Sequence, residues 1–295
     1  MTIKLPLPTS ASASIRSLLP TSASSAGSSP SSSAGCTLVY ASHARWPLPR
    51  DNAALTPSRP VRISVVDSSF NPPHAAHCAL AQHGQHDAHL LALTIANSDK
   101  GNIDEAAVTS RLEMMRAVAR DLERRAGQPD GNTSWANIAV AVLTAPTFTQ
   151  KSEVLRRDLD ELAQTQSGDR STSTRLTFAV GYDTLVRIFA PRYYQPPNPS
   201  LESSMTAFLR RDDSSIACAR RGDVSRAEEE EYLASSEVRP WVDKVEMFDI
   251  PDPAVQGISS TAIRSAASAG QWDKVRESVP VEEVVQIMQT KQLYA

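Results

Sequence analysis

The sequence Val61-Arg-Ile-Ser-Val-Val-Asp-Ser-Ser-Phe-Asn-Pro-Pro-His-Ala-Ala-His77 joins a short apolar run to a helical pattern. The apolar run, rich in valine and isoleucine, predicts a buried strand, and Pro72 and Pro73 end it. The pattern that begins at His74 predicts a helix, so both histidines fall on its first turn. There they lie beside backbone N–H groups that have no partner within the helix and that carry the positive end of its dipole. We expect such a site to attract a polyphosphate.

Short apolar runs alternate with helical patterns from Val61 to the end of the chain. Five more strands are predicted, over residues 89–96, 137–143, 175–181, 214–219 and 245–250. This alternation is typical of an α/β protein with a doubly wound, mostly parallel sheet and helices on both faces. A last helix, with an apolar stripe that includes Val284 and Met288, is expected to close the domain against the sheet.

The first part of the chain has a different composition. Residues 1–35 are mostly serine, alanine and proline, which predicts a disordered tail because little apolar surface is available to bury. Residues 36–60 are interpreted as an edge segment and linker, and residues 61–295 as the main domain. No acidic residue precedes Asp51, so a mitochondrial transit peptide stays open as a minority alternative, although prolines interrupt any amphipathic helix.

Charge and cysteine content limit the possible partners. The net charge is −3, so there is no broad basic field, which argues against nucleic acid or an anionic membrane as the main partner. No apolar stretch approaches the roughly 20 residues needed to cross a bilayer. The three cysteines are far apart and odd in number, which predicts free thiols in a reducing compartment, namely the cytoplasm, with the nucleus as a second location.

Ligands of a parallel sheet bind at the carboxyl ends of its strands. The candidates therefore follow strands: His74 and His77 the first, Lys100 the second, Phe148 the third, Asp183 the fourth, Arg220 the fifth, and the segment Ser259 to Arg264 the sixth. That last segment gathers hydroxyls and free backbone N–H groups at the start of a helix, which predicts a second anion site. A Ser-Ser-Thr sequence alone is usually only a helix cap, so its weight comes from the pairing with the histidines.

Taken in order, these motifs resemble the nucleotidyltransferases with HxGH and ISSTxxR signatures, and within them the nicotinamide mononucleotide adenylyltransferases. The ordered motifs are GxFNPxHxxH, a lysine after the second strand, RxxM, GxDxL, RxG, ISSTxxR and a terminal LY. The segment 67–73 is similar to the fungal branch of that family. The resemblance covers residues 61 to 294 and implies a Rossmann-like nucleotidyltransferase fold for the catalytic domain 61–295.

The resemblance also implies an activity and roles for single residues. It implies transfer of the adenylyl group of ATP to nicotinamide mononucleotide, with NAD and pyrophosphate as products and Mg²⁺ accompanying ATP. Both partners are small molecules, and no protein-bound metal is implied. The residues implied to be catalytic are His74, His77, Lys100 and Arg264. Those implied to contact ATP are Ser69, Phe70, Asn71, Gly181, Asp183, Arg220, Ser259, Ser260 and Thr261, and Phe148 is implied to stack on the mononucleotide ring.

The chain departs from the family pattern at four positions. Ser68 and Ala76 replace glycines, Phe148 replaces the usual tryptophan, and Lys151 stands where many members have threonine. Two other functions therefore stay open: a cytidylyltransferase-type enzyme with another phosphorylated acceptor, and a catalytically weak nucleotide-binding regulatory or adaptor protein. A zinc site is a further alternative, because five histidines and one cysteine lie between residues 74 and 89, but no cysteine pair or carboxylate cluster completes a ligand set.

Overall fold

The computed structural model describes residues 35–50, 59–97, 101–102, 104–128 and 133–295. The strands are β1 (Cys36–Ala41), β2 (Val61–Asp67), β3 (Ala88–Thr94), β4 (Ala96–Asn97), β5 (Gly101–Asn102), β6 (Ile138–Leu143), β7 (Thr174–Gly181), β8 (Ser215–Ala219) and β9 (Val245–Phe248). Seven of them form one sheet in the order β1-β6-β3-β2-β7-β8-β9, and β4 pairs with β5 separately. Only the pairing of β1 with β6 is antiparallel within the large sheet.

Helices connect the strands. They are α1 (Ala75–Gln82), α2 (Glu105–Ala126), α3 (Phe148–Ser167), α4 (Tyr182–Ile188), α5 (Leu201–Met205), α6 (Arg226–Leu233), α7 (Pro253–Gln256), α8 (Ser260–Ser268), α9 (Trp272–Ser278) and α10 (Glu282–Thr290). Short 3₁₀ turns cover residues 133–136, 191–193 and 239–244, and a π-helical turn covers residues 206–211. Among the described residues, none of the helices combines the length and apolar character needed to cross a membrane.

Two hydrophobic cores lie on opposite faces of the sheet. Leu90 and Ala92 of β3 belong to one core with residues of α3, whereas Leu91 and Leu93 belong to the other with residues of α2 and α10. Because successive side chains of a strand point to opposite faces, a strand covered on both sides must be apolar throughout. This explains the continuous apolar runs in the sequence, and the predicted doubly wound, mostly parallel α/β fold is confirmed.

The chain order reverses beside β2. From β2 the chain runs through β3 to β6 on one side, and it then crosses over to β7 on the other side. Such a reversal opens a crevice at the carboxyl ends of the strands, where ligands of doubly wound sheets bind. The histidine-bearing turn leaves β2 at this position.

Two expectations about outlying segments have different outcomes. Thr37–Tyr40 forms part of β1 at the sheet edge, as predicted, and Trp46 is 1% exposed. The proline content of residues 191–213 predicts an irregular segment, and this is wrong for its second half, where α5 and the π-helical turn bury Met205 and Phe208. The prolines end before α5, so the helix is free to form. Of the predicted tail only Gly35 lies within the described residues.

Candidate active site

A tight turn carries the chain from β2 into α1. Phe70 within this turn adopts the left-handed backbone conformation, with a φ of +44°, and its side chain is fully buried. This conformation is uncommon for a bulky residue, so the burial of the ring must compensate for the strain. The turn places His74 at the N-cap of α1 and His77 in its first turn, in agreement with the sequence prediction.

His74 and His77 form a close pair whose ring centroids are 3.9 Å apart. Each residue is only 7% exposed. The Nδ1 atom of His77 accepts a hydrogen bond from the backbone N–H of His74 at 3.1 Å, and its Nε2 atom lies 2.9 Å from the hydroxyl of Ser68. Because Nδ1 accepts, a neutral His77 carries its proton on Nε2 and donates it to Ser68.

Both imidazoles are neutral at pH 7. Burial lowers the pKa of His74 to about 4. Burial also lowers the pKa of His77 well below its usual range, and the neighbouring His74 lowers it further. Among the described residues, the buried Nδ1 atom of His74 has no hydrogen-bond partner. The pair therefore retains hydrogen-bonding capacity that a ligand could use.

The second predicted anion-binding segment contacts the first. Ser259 caps α8 by accepting a hydrogen bond from the N–H of Ala262 at 3.2 Å. The hydroxyl of Ser260 donates to the carbonyl of Pro72, 188 residues away in the chain, at 3.3 Å. The guanidinium of Arg264 donates to the carbonyl of Asn71 at 2.9 Å.

The Arg264 guanidinium also donates to the hydroxyl of Thr261, at 3.1 Å. This guanidinium thus donates to a carbonyl and a hydroxyl, and among the described residues it forms no ion pair. The two segments predicted from the sequence therefore contact each other at the carboxyl edge of the sheet, and Arg264 brings a positive charge to this contact.

Two further residues complete this region, and sequence reasoning gave neither a role. Arg111 of α2 donates to the carbonyl of Ser69 at 3.3 Å, and the hydroxyl of Tyr294 donates to the side-chain oxygen of Asn71 at 2.7 Å. Burial lowers the pKa of Arg111, and the nearby positive charge of Arg264 contributes to the lowering. Arg111 belongs to the RxxM motif and Tyr294 to the terminal LY motif of the family resemblance. The sequence therefore contained a signal that could have identified both residues.

The remaining predicted ATP contacts lie at the ends of β7 and β8. Gly181 ends β7 and caps α4, and an added Cβ there would meet no atom within 4 Å. Asp183 forms an ion pair with Arg221, with 2.5 Å between the carboxylate oxygen and Nη1. Arg220 pairs with Glu229 at 2.9 Å. The charged run at residues 226–231 predicts a solvated helix face, and this is wrong for Glu229, which is 3% exposed. These charges are therefore already compensated within the protein.

Phe148, the predicted stacking residue, begins α3 and is half-buried. Its ring packs edge-on against Phe178 at 5.6 Å between centroids, so it contributes to the core. The ammonium of Lys151 lies 4.6 Å from the centroid of the same ring and forms an ion pair with Asp67 at 2.5 Å. From the sequence, Lys151 was identified only as a departure from the threonine of many family members, and Asp67 was given no role.

Lys100 lies outside the described residues. The other histidines of the cluster lie away from the pair: His83 stacks on Phe248 at 3.5 Å, and His86 lines a separate cavity of about 350 Å³. That cavity also contacts Ser215 and Val245, so it lies at the amino ends of the strands, opposite the predicted edge. Within the described part of the chain, no three histidine, cysteine, aspartate or glutamate side chains come together to hold a metal ion.

Comparisons with known proteins agree with this architecture. The structure of Plasmodium falciparum nicotinic acid mononucleotide adenylyltransferase complexed with NaAD matches with a TM-score of 0.52 and 13% sequence identity, over 79% of this chain and 97% of that chain. The same enzyme complexed with APC matches with a TM-score of 0.50 and 13% identity, over 79% and 96%. At this identity the matches concern the fold alone.

The sequence itself is similar to a named protein. Over 242 residues it is 26% identical to a protein of Schizosaccharomyces pombe named "Putative nicotinamide mononucleotide adenylyltransferase", a match that covers 79% of this chain and 86% of that protein. No family model matches the chain. The resemblance to nicotinamide mononucleotide adenylyltransferases that the ordered motifs indicate is confirmed by this match.

Proposed function

We propose that this protein transfers the adenylyl group of ATP to nicotinamide mononucleotide and forms NAD and pyrophosphate. The observation that carries the proposal is the contact between the two predicted anion-binding segments. Arg264 and Ser260 of the late segment donate to the carbonyls of Asn71 and Pro72, immediately before His74. A single triphosphate could therefore be held from both sides. The S. pombe relative, through its name, supports the same acceptor.

The chemistry requires positioning and charge neutralisation more than acid–base catalysis. The phosphate oxygen of the mononucleotide would attack the α-phosphorus of ATP, with pyrophosphate leaving in line. His74 and His77 would donate hydrogen bonds to phosphate oxygens near the point of attack. Arg264 and Arg111 would stabilise the charge that develops on pyrophosphate, because both guanidinium groups are fixed by carbonyls before ATP arrives.

Magnesium would enter the site as its ATP complex. Mg²⁺ binds substrate phosphates with few protein ligands. This fits a site whose described residues include no cluster of three acidic, histidine or cysteine side chains. The ion would add positive charge beside the phosphates, and the residues of this chain would orient the phosphates and the attacking group. Lys100, Gly181, Asp183, Arg220, Ser259 and Thr261 are proposed to contact ATP as the resemblance implies.

A coupled assay of NAD formation from ATP and nicotinamide mononucleotide tests the proposal. The wild-type protein should form NAD, and His77→Ala should nearly abolish turnover while the fold, followed by circular dichroism, stays intact. His86→Ala removes an imidazole from the other end of the strands and should leave the rate within about twofold. Turnover like that of the wild type in His77→Ala would contradict the role assigned to this imidazole. Replacement of ATP by CTP with a phosphorylated alcohol tests the cytidylyltransferase alternative.

One observation favours a second function. The hydroxyl of Ser68, which replaces a glycine, already occupies the Nε2 atom of His77. If ATP cannot displace it, the chain would bind nucleotide without transferring it and would act as a regulatory or adaptor protein. Binding of ATP measured by calorimetry, together with the absence of NAD formation, would identify this case. Ser68→Gly should then restore turnover.

The proposed compartment is the cytoplasm, with the nucleus as a second location. The described structure contains free thiols at Cys36, Cys78 and Cys218, which suits a reducing environment. A fluorescent fusion of the full chain that accumulates in mitochondria would support the transit-peptide alternative instead.

A further inference from the structure

The acceptor side of the site contains a buried ion pair that the proposed function does not use. Asp67 is the last residue of β2, and Lys151 lies in the second turn of α3. The ammonium lies 2.5 Å from one carboxylate oxygen, and the hydroxyl of Thr94 donates to the other oxygen at 2.7 Å. Each side chain of the pair is 7% exposed.

The position of the pair connects the two halves of the proposed reaction. Asp67 directly precedes Ser68, whose hydroxyl contacts His77. Lys151 lies over the ring of Phe148, with 4.6 Å between the ammonium and the ring centroid. Because the ammonium covers this face of the ring, a pyridine base against Phe148 would lie beside Lys151, with its ring substituent next to the ion pair.

The charge of the pair distinguishes two kinds of acceptor. The ammonium and the carboxylate together are neutral, and they offer a donor and an acceptor side by side. A carboxamide is also neutral, and it can donate its N–H to Asp67 while its oxygen accepts from Lys151. A carboxylate at the same position would place a second negative charge beside Asp67 in a site with little water, which is unfavourable.

We propose that Asp67 and Lys151 determine specificity for a pyridine mononucleotide that carries a carboxamide rather than a carboxylate. The proposal rests on the proposed adenylyl transfer and narrows its acceptor. Asp67 would reject the acidic acceptor, and Lys151 would keep the buried site neutral. Neither residue would take part in the attack on ATP itself.

The test compares the kcat/KM of the full-length protein for nicotinamide mononucleotide with that for nicotinic acid mononucleotide. The wild type should prefer the amide acceptor by about tenfold or more. Asp67→Asn leaves a net positive charge and should lower this ratio about tenfold. Lys151→Gln leaves a net negative charge and should raise it. The double variant is neutral again and should return the ratio to within about threefold of the wild type.

Opposite shifts of the ratio in the two single variants distinguish a role in specificity from a structural role. Loss of a purely structural ion pair would lower kcat/KM for both acceptors by the same factor. Asp67→Glu and Lys151→Arg keep both charges and serve as matched controls that should keep the ratio. Equal losses for both acceptors, or a wild-type preference for the acidic acceptor, would overturn the proposal. A wild-type preference for the acidic acceptor would overturn the proposal even if a variant fails to fold. Absence of product with either acceptor would instead refute the proposed function and the inference with it.

Discussion

Two groups of arginines at the carboxyl edge of the sheet differ in what holds them. Arg264 and Arg111 are held by the backbone carbonyls of Asn71 and Ser69. Arg220 is held by the carboxylate of Glu229, and Arg221 by that of Asp183. A carbonyl orients a guanidinium without cancelling its charge, whereas a carboxylate does both. The first group is thus prepared for an anion, and the second would have to exchange an existing partner for one.

Removal of Arg264 should have the largest effect. Arg264→Ala is expected to lower kcat for NAD formation by about a hundredfold, since it removes a preorganised donor to the leaving pyrophosphate. Steady-state kinetics with ATP and nicotinamide mononucleotide would measure this, with thermal unfolding as a check on the fold. A loss below about fivefold would mean that the carbonyl-held arginines are not the centre of the site.

Removal of Arg220 should affect stability more than activity. Arg220→Ala leaves the carboxylate of Glu229, which is 3% exposed, with Arg226 at 3.5 Å as its one remaining ion-pair partner among the described residues. We expect the free energy of unfolding to fall by about 2 kcal/mol, because a buried carboxylate loses its closest counter-charge. Activity at a temperature where the variant is folded should change by less than about fivefold, because the ATP contact proposed for Arg220 competes with its ion pair to Glu229. A decrease in kcat as large as that of Arg264→Ala would remove the distinction between the two groups.

The smallest expected effect concerns the pH dependence of stability. The pKa of His74 is about 4 in the folded protein, below the ordinary value of 6.5. Below pH 6.5 the unfolded chain takes up a proton that the folded protein does not. The stabilisation present above pH 6.5 is therefore lost progressively as the pH falls towards 4, by about 1 kcal/mol at pH 5.5.

Urea unfolding of the wild type and of His74→Gln between pH 7.5 and 5 would measure this contribution. The variant lacks the imidazole, so its free energy of unfolding should fall less over the same range. Parallel curves would show that His74 is not held neutral in the folded protein. His74 would then carry a charge with a compensating partner, like Arg220 and Arg221, rather than lie ready for a ligand, like Arg264 and Arg111.

The sequence predicted the fold well because burial on both faces leaves a strong pattern. The strands from β2 to β9 in the large sheet, and the long helices between them, fall close to the predicted positions. The segment after Pro199 was predicted wrongly. The irregular structure that the prolines indicate for the first half of residues 191–213 was also assigned to the second half, which forms a buried helical turn around Phe208. Local composition does not show where tertiary packing begins to override it.

Single site residues were predictable only where a short motif marked them. His74, His77 and Arg264 were predicted in this way, and the structure brings their segments together, while their roles stay predictions. Arg111 and Tyr294 were visible as parts of motifs, but their contacts with Ser69 and Asn71 depend on how distant elements meet.

By itself, the sequence determined the strand and helix pattern, the position of the histidine turn at the end of β2, and the position of the two segments that are predicted to bind anions. Only the tertiary structure decided which cations are left without a carboxylate and which are neutralised. It also decided that Lys151 meets Asp67, 84 residues away in the chain. The physical reason is that propensity and periodicity act between neighbours in the chain. Charge compensation depends instead on atoms within a few ångströms in space, wherever they lie in the sequence.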